Sequence, residues 1–180
     1  MKPACVLKAC LALAVAVLMP TAALCQGPGA CSSPQYRQFD FWVGDWEVFE
    51  KDATTSSAHV RVERILDGCV LREHYEDKSG TVGESFTIYN AARKLWHQTW
   101  VTNRGRLLTI EGGQKAGSMV LAGSYYTGEG QEVRVRGTWT PTKDGVRESA
   151  VTSTDAGKTW KPWFDLMFQP RHRRSSRGLP

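Results

Sequence analysis

From Phe39 to Phe168 the chain alternates between apolar and polar positions in short runs rich in Val, Ile, Thr, Trp and Tyr, each closed by a cluster of turn-forming residues. A period of two is the mark of a strand with one buried face. The predicted strands are Asp45 to Phe49, His59 to Ile65, Val70 to Glu76, Glu84 to Tyr89, Leu95 to Thr102, Leu107 to Glu111, Met119 to Tyr126, Glu132 to Thr140, Val146 to Ser153 and Thr159 to Phe168. Between them lie Asp67-Gly68, Lys78-Ser79-Gly80, Asn90 to Arg93, Asn103-Arg104-Gly105, Gly112 to Gly117, Thr127 to Gly130, Lys143-Asp144-Gly145 and Asp155-Ala156-Gly157. These are the residue types that supply tight hairpin turns. Beyond the N-terminal leader no segment carries an extended helical period, and Tyr36 to Val43 has room for one helical turn. The expectation is an all-β fold, an antiparallel up-and-down barrel of about ten strands, because closing the sheet removes its unpaired edges.

Parity along the predicted strands sorts the side chains. Trp96, Gln98 and Trp100 share one face, with His97, Thr99 and Val101 on the other. Leu71, Glu73 and Tyr75 likewise fall together, and Val133, Val135 and Trp139 oppose Arg134, Arg136 and Thr138. A polar residue set among aromatics on one face suits a partly polar interior. The candidate ligand-lining residues are therefore Glu73, Tyr89, Trp96, Gln98 and Trp100.

The two ends have a different character. Two lysines before Lys8 is passed, then an apolar run from Ala9 to Met19, Pro20 and small residues, have the form of an export signal over residues 1–25. Cleavage fits after Ala23 or after Cys25, with the second favoured; Leu24 argues against a lipidated Cys25. The run is too short for a membrane span. Residues 26–35 form a lead, residues 36–169 the barrel domain, and residues 170–180 an Arg-rich tail expected to be disordered.

Charge changes meaning once it is located. The whole chain has 23 Lys and Arg against 18 Asp and Glu, a formal +5 that invites a nucleic-acid partner. Two of those bases lie in the leader and four in the tail, which leaves 17 against the same 18 acids in residues 26–170. The body is close to neutral, and a nucleic-acid partner loses its support. Of the five cysteines, Cys31 and Cys69 lie beyond the leader, and two thiols in an exported chain are expected to form a disulfide. The expected location is periplasmic or secreted.

The opening Phe39-Asp-Phe-Trp-Val-Gly-Asp-Trp-Glu-Val48, together with Gly68-Cys-Val-Leu-Arg-Glu73, Lys94-Leu-Trp-His-Gln-Thr-Trp-Val101 and Met119-Val-Leu-x-Gly123, resembles a bacterial family of exported, single-domain, lipocalin-like barrels known as a domain of unknown function. The resemblance spans about residues 36–169. It implies the fold, with Trp46 plugging the closed end and Gly44 allowing a sharp turn into the first strand, and it carries no activity. Nitrobindins, which are haem-binding barrels, are a more distant comparison: Val48 and Glu50 stand where that family has glycines. None of His59, His74 and His97 sits in a late strand like its ligand strand, so no haem or other cofactor is expected. Ser153-Thr-Asp-Ala-Gly-Lys-Thr-Trp160 resembles the Asp-box of sialidase propellers, a structural hairpin in which Asp155 caps loop amides, Gly157 takes a positive φ and Trp160 packs over the turn.

No catalytic motif accompanies this frame: there is no G-x-S-x-G elbow, no H-E-x-x-H and no C-x-x-C, so no catalytic residue and no metal site are assigned. The function expected is the binding of a small, largely apolar molecule in the barrel. The alternatives are an enzyme using Glu73 or His97 for acid/base chemistry on a hydrophobic substrate, and a structural or interaction module with a filled barrel.

Overall fold

A computed structural model describes residues 29–171; the leader, the first residues of the lead and the tail from residue 172 lie outside the described residues. Ten strands follow one another: β1 (Gly44–Glu50), β2 (Ala58–Ile65), β3 (Val70–Asp77), β4 (Val82–Asn90), β5 (Leu95–Thr102), β6 (Leu107–Lys115), β7 (Ser118–Tyr126), β8 (Glu132–Thr142), β9 (Gly145–Ser153) and β10 (Lys161–Pro170). Each pairs antiparallel with its chain neighbours, and β1 closes on β10 through the register Trp46 to Pro170 and Glu50 to Leu166. The sheet is thus a closed up-and-down barrel of lipocalin-like form, with no free edge to recruit another chain.

Odd-numbered connections put the loops after β1, β3, β5, β7 and β9 at one end, here called the mouth. The turns after the even strands, and the N-terminal lead, occupy the other. Two 3₁₀ turns, Pro34–Arg37 and Asp40–Trp42, form the lead and cover that end. Phe39 stacks on Trp42 at 5.0 Å between ring centroids and meets Trp96 and Trp139 edge-on. All four are almost wholly buried. Burying an aromatic of this size stabilises by about 1.5–3 kcal/mol, so the plug is held by its own packing. Trp46 lies over Gly44, where a Cβ would come within 2.6 Å of the indole, and its Nε1 donates to the Trp42 carbonyl at 3.0 Å. The Cys31–Cys69 disulfide then ties the lead to the β2–β3 turn, where Arg37 also donates to the Gly68 and Cys31 carbonyls.

Two strand boundaries differ from expectation. Gly112 and Gly113 lie inside β6, and the turn is confined to Ala116-Gly117. Gly112 pairs with Trp96 and Leu121, and a Cβ there would come within 2.1 Å of the Val120 carbonyl oxygen, so the close approach of β7 requires glycine. The last strand starts at Lys161, later than Thr159, because Thr159 and Trp160 are held in the preceding loop. A bulge at Trp163 then re-aims that side chain.

Candidate ligand site

The ladder registers decide which side chains meet inside. Glu73 on β3 pairs with Ser85 on β4, and Ser85 with Trp100 on β5. One rung toward the plug, Leu71 pairs with Thr87 and Thr87 with Gln98. Gln98 Nε2 donates to Thr87 Oγ1 at 3.0 Å and to Ser85 Oγ at 3.3 Å; Ser85 Oγ in turn donates to Glu73 Oε2 at 2.7 Å. A short polar relay therefore runs along one wall and ends on a carboxyl that is only 7% exposed.

On the other side of the lumen, Trp139 of β8 pairs with Glu148 of β9, and Glu148 with Leu166 of β10. Glu73 and Glu148 each stand three residues from the plugged end of their strands, which places the two carboxyls at a similar depth. They sense one another. Burial pushes the Glu73 carboxyl up to about 7, offset in part by the Ser85 hydroxyl. Burial, and then the charge of Glu73, push Glu148 well above the usual carboxylate range. The Trp139 indole eases that shift without being aligned as a hydrogen bond. The indole N–H groups of Trp42, Trp100 and Trp139 are all buried with no partner. Each buried unpaired donor costs about 1–3 kcal/mol, so three together are a conspicuous feature of this interior.

Toward the mouth, Tyr75 and Trp100 meet edge-on at 5.7 Å. Above them Tyr125 of β7 approaches Trp163 of β10 at 5.8 Å, although β8 and β9 lie between those strands in the sheet. Their contact therefore crosses the opening. Arg106, from the β5–β6 loop, places its guanidinium 5.0 Å from the Tyr125 ring centre and 5.7 Å from that of Trp163. The cation–π attraction joins three distant segments over the mouth.

The expected lining residues thus divide. Glu73, Gln98 and Trp100 stand in the middle of the barrel. Tyr89 and Trp96 stand at its floor: Tyr89 meets Tyr36 edge-on at 5.3 Å, and Trp96 Nε1 donates to Gln38 Oε1 at 3.1 Å. Glu148, Ser85 and Thr87 complete the interior and were missed, although the alternation Val146, Glu148, Ala150 places Glu148 inward by parity alone. His97, the other acid/base candidate, is on the outer wall and bonds Glu111 and Thr99, so it cannot work beside Glu73. His59 and His74 face outward as well, hydrogen-bonded to Asp45 and to Glu84 and Glu76.

In the β9–β10 hairpin, Asp155 accepts from the Thr159 amide at 2.9 Å and from the Thr159 hydroxyl at 2.6 Å, Ser153 Oγ accepts from the Gly157 amide at 2.8 Å, and Trp160 Nε1 donates to the Gly157 carbonyl at 3.1 Å. Gly157 adopts a φ of 88° and Arg136 lies 4.3 Å over the Trp160 ring. A separate groove of about 270 Å³ runs outside, lined by Phe49, Glu50, Lys51, Arg147 and Asp165 among others. Its Arg147 and Asp165 satisfy each other at 2.6 Å, and nothing in it is left unpaired in the way the interior is. Among the described residues no group of three or more His, Cys, Asp and Glu is placed to hold a metal ion, and no helix is long and apolar enough to cross a membrane.

No protein-family model matches this chain, and no curated protein matches it in sequence. The lipocalin-like likeness rests on the barrel itself and reaches as far as the fold. What the interior offers is chemical: packed aromatic side chains, a carboxyl that burial pushes up to about 7 and buried indole N–H groups with no aligned hydrogen-bond partner among the described residues.

Proposed function

We propose that this protein is an exported carrier or receptor for a small, largely apolar molecule held inside the barrel, with Glu73, Gln98 and Trp100 on the wall and Tyr89 and Trp96 in the floor. The observation that carries this reading is the incomplete polar interior. Among the described residues Trp100 and Trp139 keep buried indole N–H groups without an aligned hydrogen bond, and Glu73 and Glu148 have no basic partner. Folded interiors satisfy nearly all of their buried polar atoms, so a barrel filled for stability alone would pair these groups or replace them. Aromatic walls with a few convergent polar groups are the usual make-up of a small-molecule site. The Arg106, Tyr125 and Trp163 cluster marks the mouth as the route in. Export is supported by the Cys31–Cys69 disulfide and by the character of residues 1–25.

The test is native mass spectrometry of the protein isolated from the cells that make it, joined to titration with an apolar fluorescent dye. A mass above that of the bare chain, or dye binding that Trp100→Ala weakens at least tenfold, is expected. A bare mass with no dye uptake overturns the carrier reading in favour of a filled structural barrel.

A further inference from the structure

The nature of the occupant follows from what the interior lacks, an inference that rests on the carrier reading above. Two buried indole donors carry it, Trp139 against Phe39 and Trp42 of the plug and Trp100 against Gly83 toward the mouth. Trp139 is 3% exposed, and its N–H lies near the Glu148 carboxyl but makes no aligned hydrogen bond among the described residues. It faces the lumen beside its cross-strand neighbour Glu148. Trp100, whose N–H is also buried and unpartnered, stands beside Ser85 and Glu73 on the opposite wall.

Each class of ligand head group meets this arrangement differently. The inward positions of β3 through β9 hold no lysine or arginine, so an anionic head group, such as a fatty-acid carboxylate, would meet no countercharge once past Arg106 at the mouth and would stand against Glu73. An ammonium group would find carboxyls, but would leave both indole N–H groups unsatisfied and oppose their positive ends. A pure hydrocarbon would leave every donor as it is. A neutral oxygen acceptor answers all of them, because a carbonyl has two lone pairs and can accept from an indole and from a carboxylic acid O–H at once. Burial pushes the Glu148 carboxyl well above the usual carboxylate range, and in its protonated form it is a donor as well.

We propose that the barrel selects an uncharged, apolar molecule bearing a carbonyl oxygen, of the ketone, quinone or ester class, with that oxygen accepting from Trp139 and Glu148 or from Trp100 across the lumen.

The test uses the full chain and four probes of one shape, with binding read by quenching of tryptophan fluorescence: 2-acetylnaphthalene, 2-ethylnaphthalene, 1-(2-naphthyl)ethylamine and 2-naphthoic acid. The ketone should bind about tenfold more tightly than each of the others, the gain expected of one or two buried hydrogen bonds. Its infrared carbonyl stretch should move to lower frequency on binding, a sign of hydrogen bonding that needs no variant. Trp139→Phe and Trp100→Phe, made separately, should reduce ketone affinity several-fold in at least one case and leave 2-ethylnaphthalene unchanged. Equal binding of ketone and hydrocarbon, tightest binding of the amine or the acid, or an unshifted carbonyl stretch overturns the acceptor inference while leaving an apolar carrier. Failure of all four probes to bind overturns both.

Discussion

Glu73 behaves as it does because its carboxyl is taken out of water while keeping one hydroxyl donor, Ser85. Desolvation penalises the charged form, and the Ser85 hydroxyl recovers only part of that loss. A carboxyl raised from 4.5 to about 7 in the folded state binds more protons there than in the unfolded chain across that interval. Its contribution to stability is therefore complete below about pH 4.5 and is lost as pH rises through about 7. Glu148 acts in the same direction. Half-buried Glu111 has the opposite sign: Arg93 and His97 hold its carboxyl down at about 2, so its contribution is present above about pH 4.5 and is lost as pH falls through about 2. Denaturant midpoints measured from pH 4.5 to 8 should fall with pH, at up to about 1.4 kcal/mol per pH unit for each buried carboxyl. In Glu73→Gln the part of that slope between about pH 4.5 and 7 should vanish; an unchanged slope would show that the Glu73 carboxyl is solvated.

At the scale of the strand and the hairpin, glycine separates two kinds of position that look alike in sequence. An alanine Cβ at Gly123 would lie 1.9 Å from the Thr109 carbonyl oxygen, whereas at Gly113 nothing lies within 4 Å. Gly123→Ala should therefore cost about 2–3 kcal/mol in urea unfolding, the usual penalty for forcing atoms into a packed site, and Gly113→Ala should stay within about 1 kcal/mol of the parent. The β9–β10 hairpin is held by its own hydrogen bonds to Asp155. Asp155→Ala should speed amide exchange across residues 154–160 while the barrel strands keep their protection, as local opening requires. Strand alternation was legible in nearly every element, since it reflects one wet and one dry face. Gly112 and Gly113 were not legible: glycine ends a strand in one context and lets the neighbouring Val120 carbonyl approach inside one in another, and only the cross-strand neighbour tells them apart.

For the molecule as a whole, the lead, the plug and the disulfide form one device that shuts one end of the barrel. The bond closes a sequence separation of 38, worth about 4 kcal/mol in lost unfolded-state entropy. Cys31→Ser with Cys69→Ser, or chemical reduction, should lower stability by about that much while the circular-dichroism signature of the closed sheet persists. The barrel should survive because its strand pairing is continuous around the ring without the lead. Reduction that also unfolds the strands would mean that the plug is required for closure.

Periodicity in the sequence determined that the chain is a series of short antiparallel strands, that Gln98 shares a face with Trp96 and Trp100, and that Glu73 shares one with Leu71 and Tyr75; the leader and the cysteine count left Cys31 and Cys69 as the pair to join. Those properties are local, or follow from a period of two. The tertiary structure decided which residues from different strands stand opposite one another: that Glu148 faces Glu73 across the lumen, that Tyr89 and Trp96 belong to the floor, that His97 is outside and that Tyr125 meets Trp163 over the mouth. The register and closure of the ring set these pairings, and they depend on the geometry of all ten strands at once.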